Sequence, residues 1–292
     1  MLWFFFAFSS AMLSAAAAVT QKKILFRLGA LEFSAQLAQL TLLLTLPLFF
    51  FLDYSAISSA ALLILFFKTI LGAVAFLCVM QAIKTHELSG ALPLMVLTPG
   101  LVAIAAFAAL GEALSGIELW GMLLLLAGTY LLELKPGVSL LYPITVFATS
   151  RKHYPIVAAL LLFTVTAVLD RYLLTDLQLR PLPMLAFQNL FLAFHLTIIA
   201  MIAGKTMFPL LRSDAGSVWK LVLLVALCTL GYRFAQIEAV SMAPVALVLS
   251  VKRLSVFMAA MLGGKLFRES RLPRKAMAIL LLLAGALLVA GW

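Results

Sequence analysis

The fold is decided by two stretches that are versions of one text, AALGEALSGIELWGMLLLLAGTYLL (108–132) and GKLFRESRLPRKAMAILLLLAGALLV (264–289). Glu112 precedes Gly128 by sixteen residues and Glu269 precedes Gly285 by sixteen, so both pairs are offset by 157. At the same offset Gln81-Ala82 stands over Glu238-Ala239. Each text ends in an apolar run of the length and composition that a bilayer favours, so the duplication is one of membrane-spanning segments.

Counting outward with a ruler of about 20 apolar residues per span predicts ten helices, at 2–21, 33–52, 57–83, 88–111, 117–134, 153–174, 183–203, 217–240, 244–264 and 273–291. The duplicated text closes the fifth and the tenth. Two copies of five spans must insert with opposite orientation, because five is odd. The expected fold class is therefore an all-α polytopic membrane protein of ten transmembrane helices, arranged as two inverted five-helix repeats over 2–134 and 153–291. Secondary transporters use such inverted repeats, with the substrate site near the midplane.

Composition agrees. Of 292 residues, 65% are hydrophobic and 11% charged, against about 25% charged in soluble domains, and mean hydropathy is +1.17. The net charge of +10 does not imply nucleic acid, because the basic residues cluster in short loops between spans. Fifteen of the 21 Lys and Arg fall in odd-numbered loops or in the span ends beside them, and two, Arg171 and Arg180, on the opposite side. Under the positive-inside rule that bias places both termini outside the cytoplasm. The first stretch lacks a basic n-region and reads as the first helix, not as a cleaved signal. Cys78 and Cys228 fall within spans and show neither a disulfide framework nor metal spacing.

The blocks ending in Gly111-Glu112 and Glu269, each followed by a helix with Ala-Gly at 127–128 and 284–285, resemble the paired EamA domains of the drug/metabolite transporter superfamily. The second copy departs from the pattern by reading Arg268-Glu269, and it has Val256 where Pro99 lies in the first. The resemblance implies a ten-helix transporter, usually drawn with both termini inside, against the charge count. A Lys-Arg pair in the ninth helix is also similar to that of plastid triose-phosphate translocators, where the pair contacts phosphate. The fourth helix here carries no lysine, so an anion is implied more firmly than phosphate.

Four cations fall within spans: Lys68 in the third, Arg233 in the eighth, and Lys252 and Arg253 in the ninth. Each costs about 2.5–3.5 kcal/mol at a bilayer centre on insertion scales, so each needs a compensating partner or a ligand. The ninth span reads as one helix from Pro244 to about 264, with Ala259/Gly263 and Ala260/Gly264 at the small-xxx-small spacing of close helix contacts. The carboxylates within reach in sequence are Glu238, five residues after Arg233, and Asp170, which reads as a local pair with Arg171. His195, with Gln188 and Asn189 two turns earlier, completes the candidate substrate-binding set of Lys252, Arg253, Arg233, His195, Gln188, Asn189 and Lys68. Glu112 and Glu269 sit beside helix starts, where a carboxylate complements the macrodipole, and a structural role is expected for both.

The expected activity is secondary transport of a small organic anion by alternating access, with a coupling proton or a counter-substrate and the lipid bilayer as the other partners. The expected residence is a bacterial cytoplasmic membrane. The alternative is an exporter of amino acids or amphipathic metabolites, its intramembrane cations locked in structural pairs. No P-loop text is present. The histidines at 86, 153 and 195 lack metal spacing, and no catalytic constellation argues for an enzyme. Neither a cofactor nor a metal is expected.

Overall fold

The computed structural model describes residues 1–84, 95–133, 154–204, 218–262 and 272–291. His86, His153, Gly263, Gly264, Arg268 and Glu269 lie outside the described residues. Among the described residues all regular structure is helical and ten rods can be followed. They are α1 (Leu2–Leu25), α2 (Ala30–Thr45), α3 (Ser59–Lys84), α4 (Thr98–Leu110), α5 (Gly116–Glu133), α6 (Tyr154–Thr175), α7 (Pro181–Ile202), α8 (Trp219–Met242), α9 in two segments, and α10 (Leu272–Ala290). Six are long and apolar enough to cross a membrane: α1, α2 with its extension to Phe51, α3, α6, α7 and α8. The chain is an integral membrane protein of all-α class.

Local chemistry sets the helix ends. The Gly29 N–H donates to the Glu32 carboxylate at the start of α2 (3.1 Å). Ser115 and Glu118 cap α5 reciprocally, through Ser115 N–H to Glu118 Oε2 (2.8 Å) and Glu118 N–H to Ser115 Oγ (3.3 Å). Pro47 has no N–H to continue the ladder, so the second span is not one α-helix as expected. It ends at Thr45 and continues as a 3₁₀ stretch, Leu46–Phe51. Gly111 terminates α4 at φ +67°, a conformation glycine adopts without a Cβ penalty, and Glu112 N–H reaches back to the Ala106 carbonyl (3.3 Å). That turn delivers the Glu112 side chain to its partners.

The ninth span also differs from its expectation of one unbroken helix. It is divided into α9a (Val245–Lys252) and α9b (Leu254–Leu262). At the break, Arg253 N–H is shared between the carbonyls of Leu249 (3.2 Å) and Ser250 (3.1 Å), and Val256 N–H bonds to Arg253 O (3.0 Å). This is a local tightening to i→i−3 bonds. Ser250 Oγ donates to the Ala246 carbonyl one turn below (2.8 Å), a back-bond that favours bending. The fourth span has its own turn at Val96-Leu97 before α4 begins. Position 96 lies 157 residues before position 253.

The principal packing joins the first five rods to the last five: α5 on α10, α1 on α8, α3 on α6, α2 on α7, α1 on α9b and α4 on α6, with α4 also meeting α9a. The α5–α10 crossing is the closest. A Cβ on Gly128 would stand 2.8 Å from the Ala278 carbonyl oxygen, and one on Gly285 would stand 2.7 Å from the Gly121 carbonyl oxygen. In the absence of a hydrophobic driving force between helices in lipid, such small-residue contacts let backbones meet and supply van der Waals packing.

Candidate functional site

Between α3, α6, α8 and the broken ninth span lies a cavity of about 310 Å³. Lys68 enters it as the tenth residue of the 26 in α3. The residue is 5% exposed, and its ammonium forms an ion pair with Asp170 of α6 and donates to the Gln188 side-chain oxygen of α7. All three residues line the cavity.

The other three cations line the same space. The Lys252 ammonium donates to the Gln236 side-chain oxygen and rests 4.6 Å above the centre of the Tyr232 ring. Arg253, at the break of the ninth span, donates through Nη2 to Thr98 Oγ1 at the start of α4 (2.8 Å), while Thr98 donates to the Met95 carbonyl (2.6 Å). The turns in the fourth and ninth spans thus meet through one hydrogen bond. Arg233 completes the set from α8. Among the described residues four cations and one carboxylate line the cavity, a formal excess of three positive charges. The partners named for Lys252 and Arg253 are an amide oxygen, a ring face and a hydroxyl. None of these three partners carries a negative charge.

Two of the expected binding residues do not line the central cavity. Asn189 is buried and donates to Thr45 Oγ1 (3.0 Å). His195 is buried against the Phe66 ring, with centroids 4.7 Å apart, and its Nδ1 lies 3.3 Å from Thr69 Oγ1. Thr69 does line the cavity, so His195 stands one side chain behind the wall. The physical reason is helical rotation: from Gln188, a step of one residue turns the side chain by about 100° and a step of seven carries it two turns along the axis.

The carboxylates depart further from expectation. Glu238 does not face Arg233. It lines a separate cavity of about 290 Å³ with Asp53 and Arg180. Asp53 accepts from the Ser55 hydroxyl (2.6 Å), which holds its carboxyl below the usual range. Five residues on a helix amount to about 140° past a full turn, which turns Glu238 away from Arg233's side. Nor do Asp170 and Arg171 pair locally, because neighbours on a helix diverge. Arg171 Nε bonds Glu112 Oε1 (2.7 Å), and its Nη1 donates to the Val240 carbonyl at the end of α8 (2.6 Å).

Glu112 also accepts from the Val245 N–H (3.2 Å), the first residue of α9a. Pro244 precedes it and brings no N–H of its own. Glu112 therefore stabilises a helix N-terminus, but that of α9a and not of its own α5. This polar knot ties the α4–α5 turn, α6, α8 and α9a together at one end of the bundle.

Gln236, Tyr232 and Thr98 were not anticipated. For Gln236 a signal existed: it lies eight residues before Pro244, and Lys252 lies eight after. A tight hairpin places such equidistant positions opposite each other. Thr98 carried no such signal.

Residues 1–134, the first five rods, match the model of the EamA-like transporter family. That is a family of transporters, not of enzymes. A crystal structure of another protein superposes with a TM-score of 0.72 over 98% of this chain and 95% of its own, at 15% sequence identity, and so shares the fold. No curated protein matches the chain.

Proposed function

We propose that this protein is a secondary transporter of the drug/metabolite type that carries a small organic anion across the bilayer by alternating access. The observation that carries the reading is the central cavity, whose lining residues hold three more positive than negative formal charges. A positive excess of this kind at membrane depth is costly, and an anionic substrate entering with some of its hydration offsets it. Arg253 and Arg233 offer planar forks suited to carboxylate or phosphate oxygens, while Lys252 supplies a compact charge able to follow the ligand. Lys68, bonded also to Gln188, holds Asp170 at the edge of the same space. Asn189 and His195 support the wall from behind.

The halves 2–134 and 153–291 act as inverted repeats that rock about this cavity. Support comes from the transporter family matched by the first half and from packing in which each principal pair joins one rod of each half. Under exchange of halves the α1–α8 contact maps onto α6–α3, and α2–α7, α4–α9 and α5–α10 map onto themselves. The knot of Glu112, Arg171, Val240 and Val245 ties the helices around the cavity together at one end of the bundle. The loop charges argue for both termini outside the cytoplasm of a bacterial host. A phosphatase fused after Trp292 is then active, and a dark phosphatase fusion reverses the orientation.

The decisive measurement is uptake into liposomes, with binding read in parallel. Lys252→Gln and Arg253→Gln each raise the dissociation constant of the transported anion by about 10- to 150-fold, the worth of one hydrogen bond to a charged group, while thermal unfolding stays near wild type. Arg253→Lys is also impaired, since the fork is lost. One observation favours the alternative exporter reading: Lys68, Lys252 and Arg253 each have a protein partner. On that reading both Gln variants transport at wild-type affinity.

A further inference from the structure

A much smaller cavity, about 20 Å³, lies between α2, α7 and α8. Arg233, Phe76 and Leu192 line both it and the central cavity, so these three side chains form the partition. Its polar lining is Ser34, Thr41, Asn189, Thr229 and Arg233. Most of these donors are committed. Ser34 Oγ donates to the Ala30 carbonyl (2.8 Å) and Thr41 Oγ1 to that of Leu37 (2.6 Å). Asn189 spends one amide hydrogen on Thr45 and has a second.

Two donors are not committed. Thr229 is 5% exposed and its hydroxyl has no hydrogen-bond partner, and neither has the buried Nε of Arg233. A buried donor left unsatisfied costs on the order of 1–3 kcal/mol, and two in one cavity are better explained by an occupant that accepts from both. The room suffices for one water-sized body and excludes a polyatomic substrate.

We propose that this cavity is a binding site for a single monatomic anion of the halide class, held by Arg233 Nε–H, Thr229 O–H and the free amide hydrogen of Asn189. Charge selects an anion over water, since Arg233 belongs to a cavity lining that holds three more positive than negative formal charges across the partition. Such an ion would offset part of that excess and fix the Arg233 guanidinium, leaving its terminal nitrogens for the central cavity. The site does not depend on what the central cavity carries.

Two measurements on the full-length protein test it. Crystals grown in sodium bromide should show an anomalous peak within hydrogen-bonding reach of Arg233 Nε and Thr229 Oγ1. In detergent, chloride at constant ionic strength, balanced with gluconate, should raise the unfolding temperature saturably, as a ligand of the folded state does. Thr229→Val, which keeps the shape and removes the hydroxyl, should weaken that chloride dependence about tenfold or more, and Thr229→Ser should restore it. Density for a water with no bromide signal overturns the proposal. So does a chloride response that Thr229→Val leaves unchanged. If Thr229→Val does not fold, the bromide experiment on the wild type decides alone. Transport of an organic anion that is indifferent to halide, with bromide absent from the site, refutes the halide site and leaves the function standing.

Discussion

Two crossings between the halves of this molecule obey opposite rules. At α5–α10 the halves are interchangeable: Gly128 lies against Ala278 and Leu282, Gly285 lies against Gly121 and Leu125, and each of these contacts is the other shifted by 157 residues. At α4–α9 they are not. Lys252-Arg253 stand where the first half has Met95-Val96, and Arg253 crosses to Thr98, whose own counterpart is Ser255. Repetition persists where backbones touch, because there geometry tolerates nothing larger than hydrogen. It lapses where side chains face a cavity, because there chemistry can change without moving the helices. The α5–α10 crossing is symmetric in these contacts and the site is not.

Breaking the charged region should have the largest effect. Asp170→Asn leaves Lys68 buried beside a neutral amide and should cost about 3–5 kcal/mol of stability, the usual penalty for removing one partner of a buried pair. Lys68→Met combined with Asp170→Leu should regain most of it, as measured by thermal unfolding in detergent. If the double variant is no better than the single one, the ion pair is not what holds α3 to α6 here.

Glu112→Gln tests the knot at the bundle end. It weakens both the bond to Arg171 and the capping of α9a and should lower stability by roughly 1.5–3 kcal/mol, with substrate affinity nearly unchanged. A variant of wild-type stability that no longer transports would assign Glu112 to the substrate pathway instead.

The symmetric crossing should respond differently in kind. Gly128→Ala and Gly285→Ala each set a methyl against backbone and should cost about 1–3 kcal/mol by overpacking. No compensating exchange within the pair should rescue them, since each glycine meets a different stretch of the partner helix. Equal losses in the two variants would support interchangeability, and a large loss in one alone would break it.

The smallest effect should fall on the bond joining the two broken spans. Thr98→Val removes the hydroxyl that orients Arg253 and should weaken anion binding roughly two- to tenfold. An unchanged dissociation constant would show that Arg253 is positioned by other contacts.

The ten rods, the lone cations inside them and the special standing of Gly128 and Gly285 were all legible from the chain. Each depends on a property that is one-dimensional: the run length of apolar residues, a charge within such a run, a text repeated at a constant offset. The break at Arg253 was not legible, although its neighbours Ser250 and Lys252 were in view, because an apolar run reads the same whether or not its hydrogen-bond ladder tightens for one turn. The partner of Lys252 could have been found from the hairpin. The partner of Lys68 could not, since Asp170 lies about a hundred residues away on a rod whose rotation nothing local specifies.

The sequence by itself therefore determined that this protein lives in a membrane, that it is built of ten helical rods and which cations fall within the apolar runs. Tertiary structure alone decided which carboxylate answers which cation: Asp170 goes to Lys68, Glu112 to Arg171 and the start of α9a, and Glu238 to a separate cavity. The physical reason is that a helix apolar on all sides has no amphipathic stripe to tell which face turns inward. In lipid that choice is left to how closely small residues let neighbouring backbones approach, and to hydrogen bonds that form only once the rods are side by side.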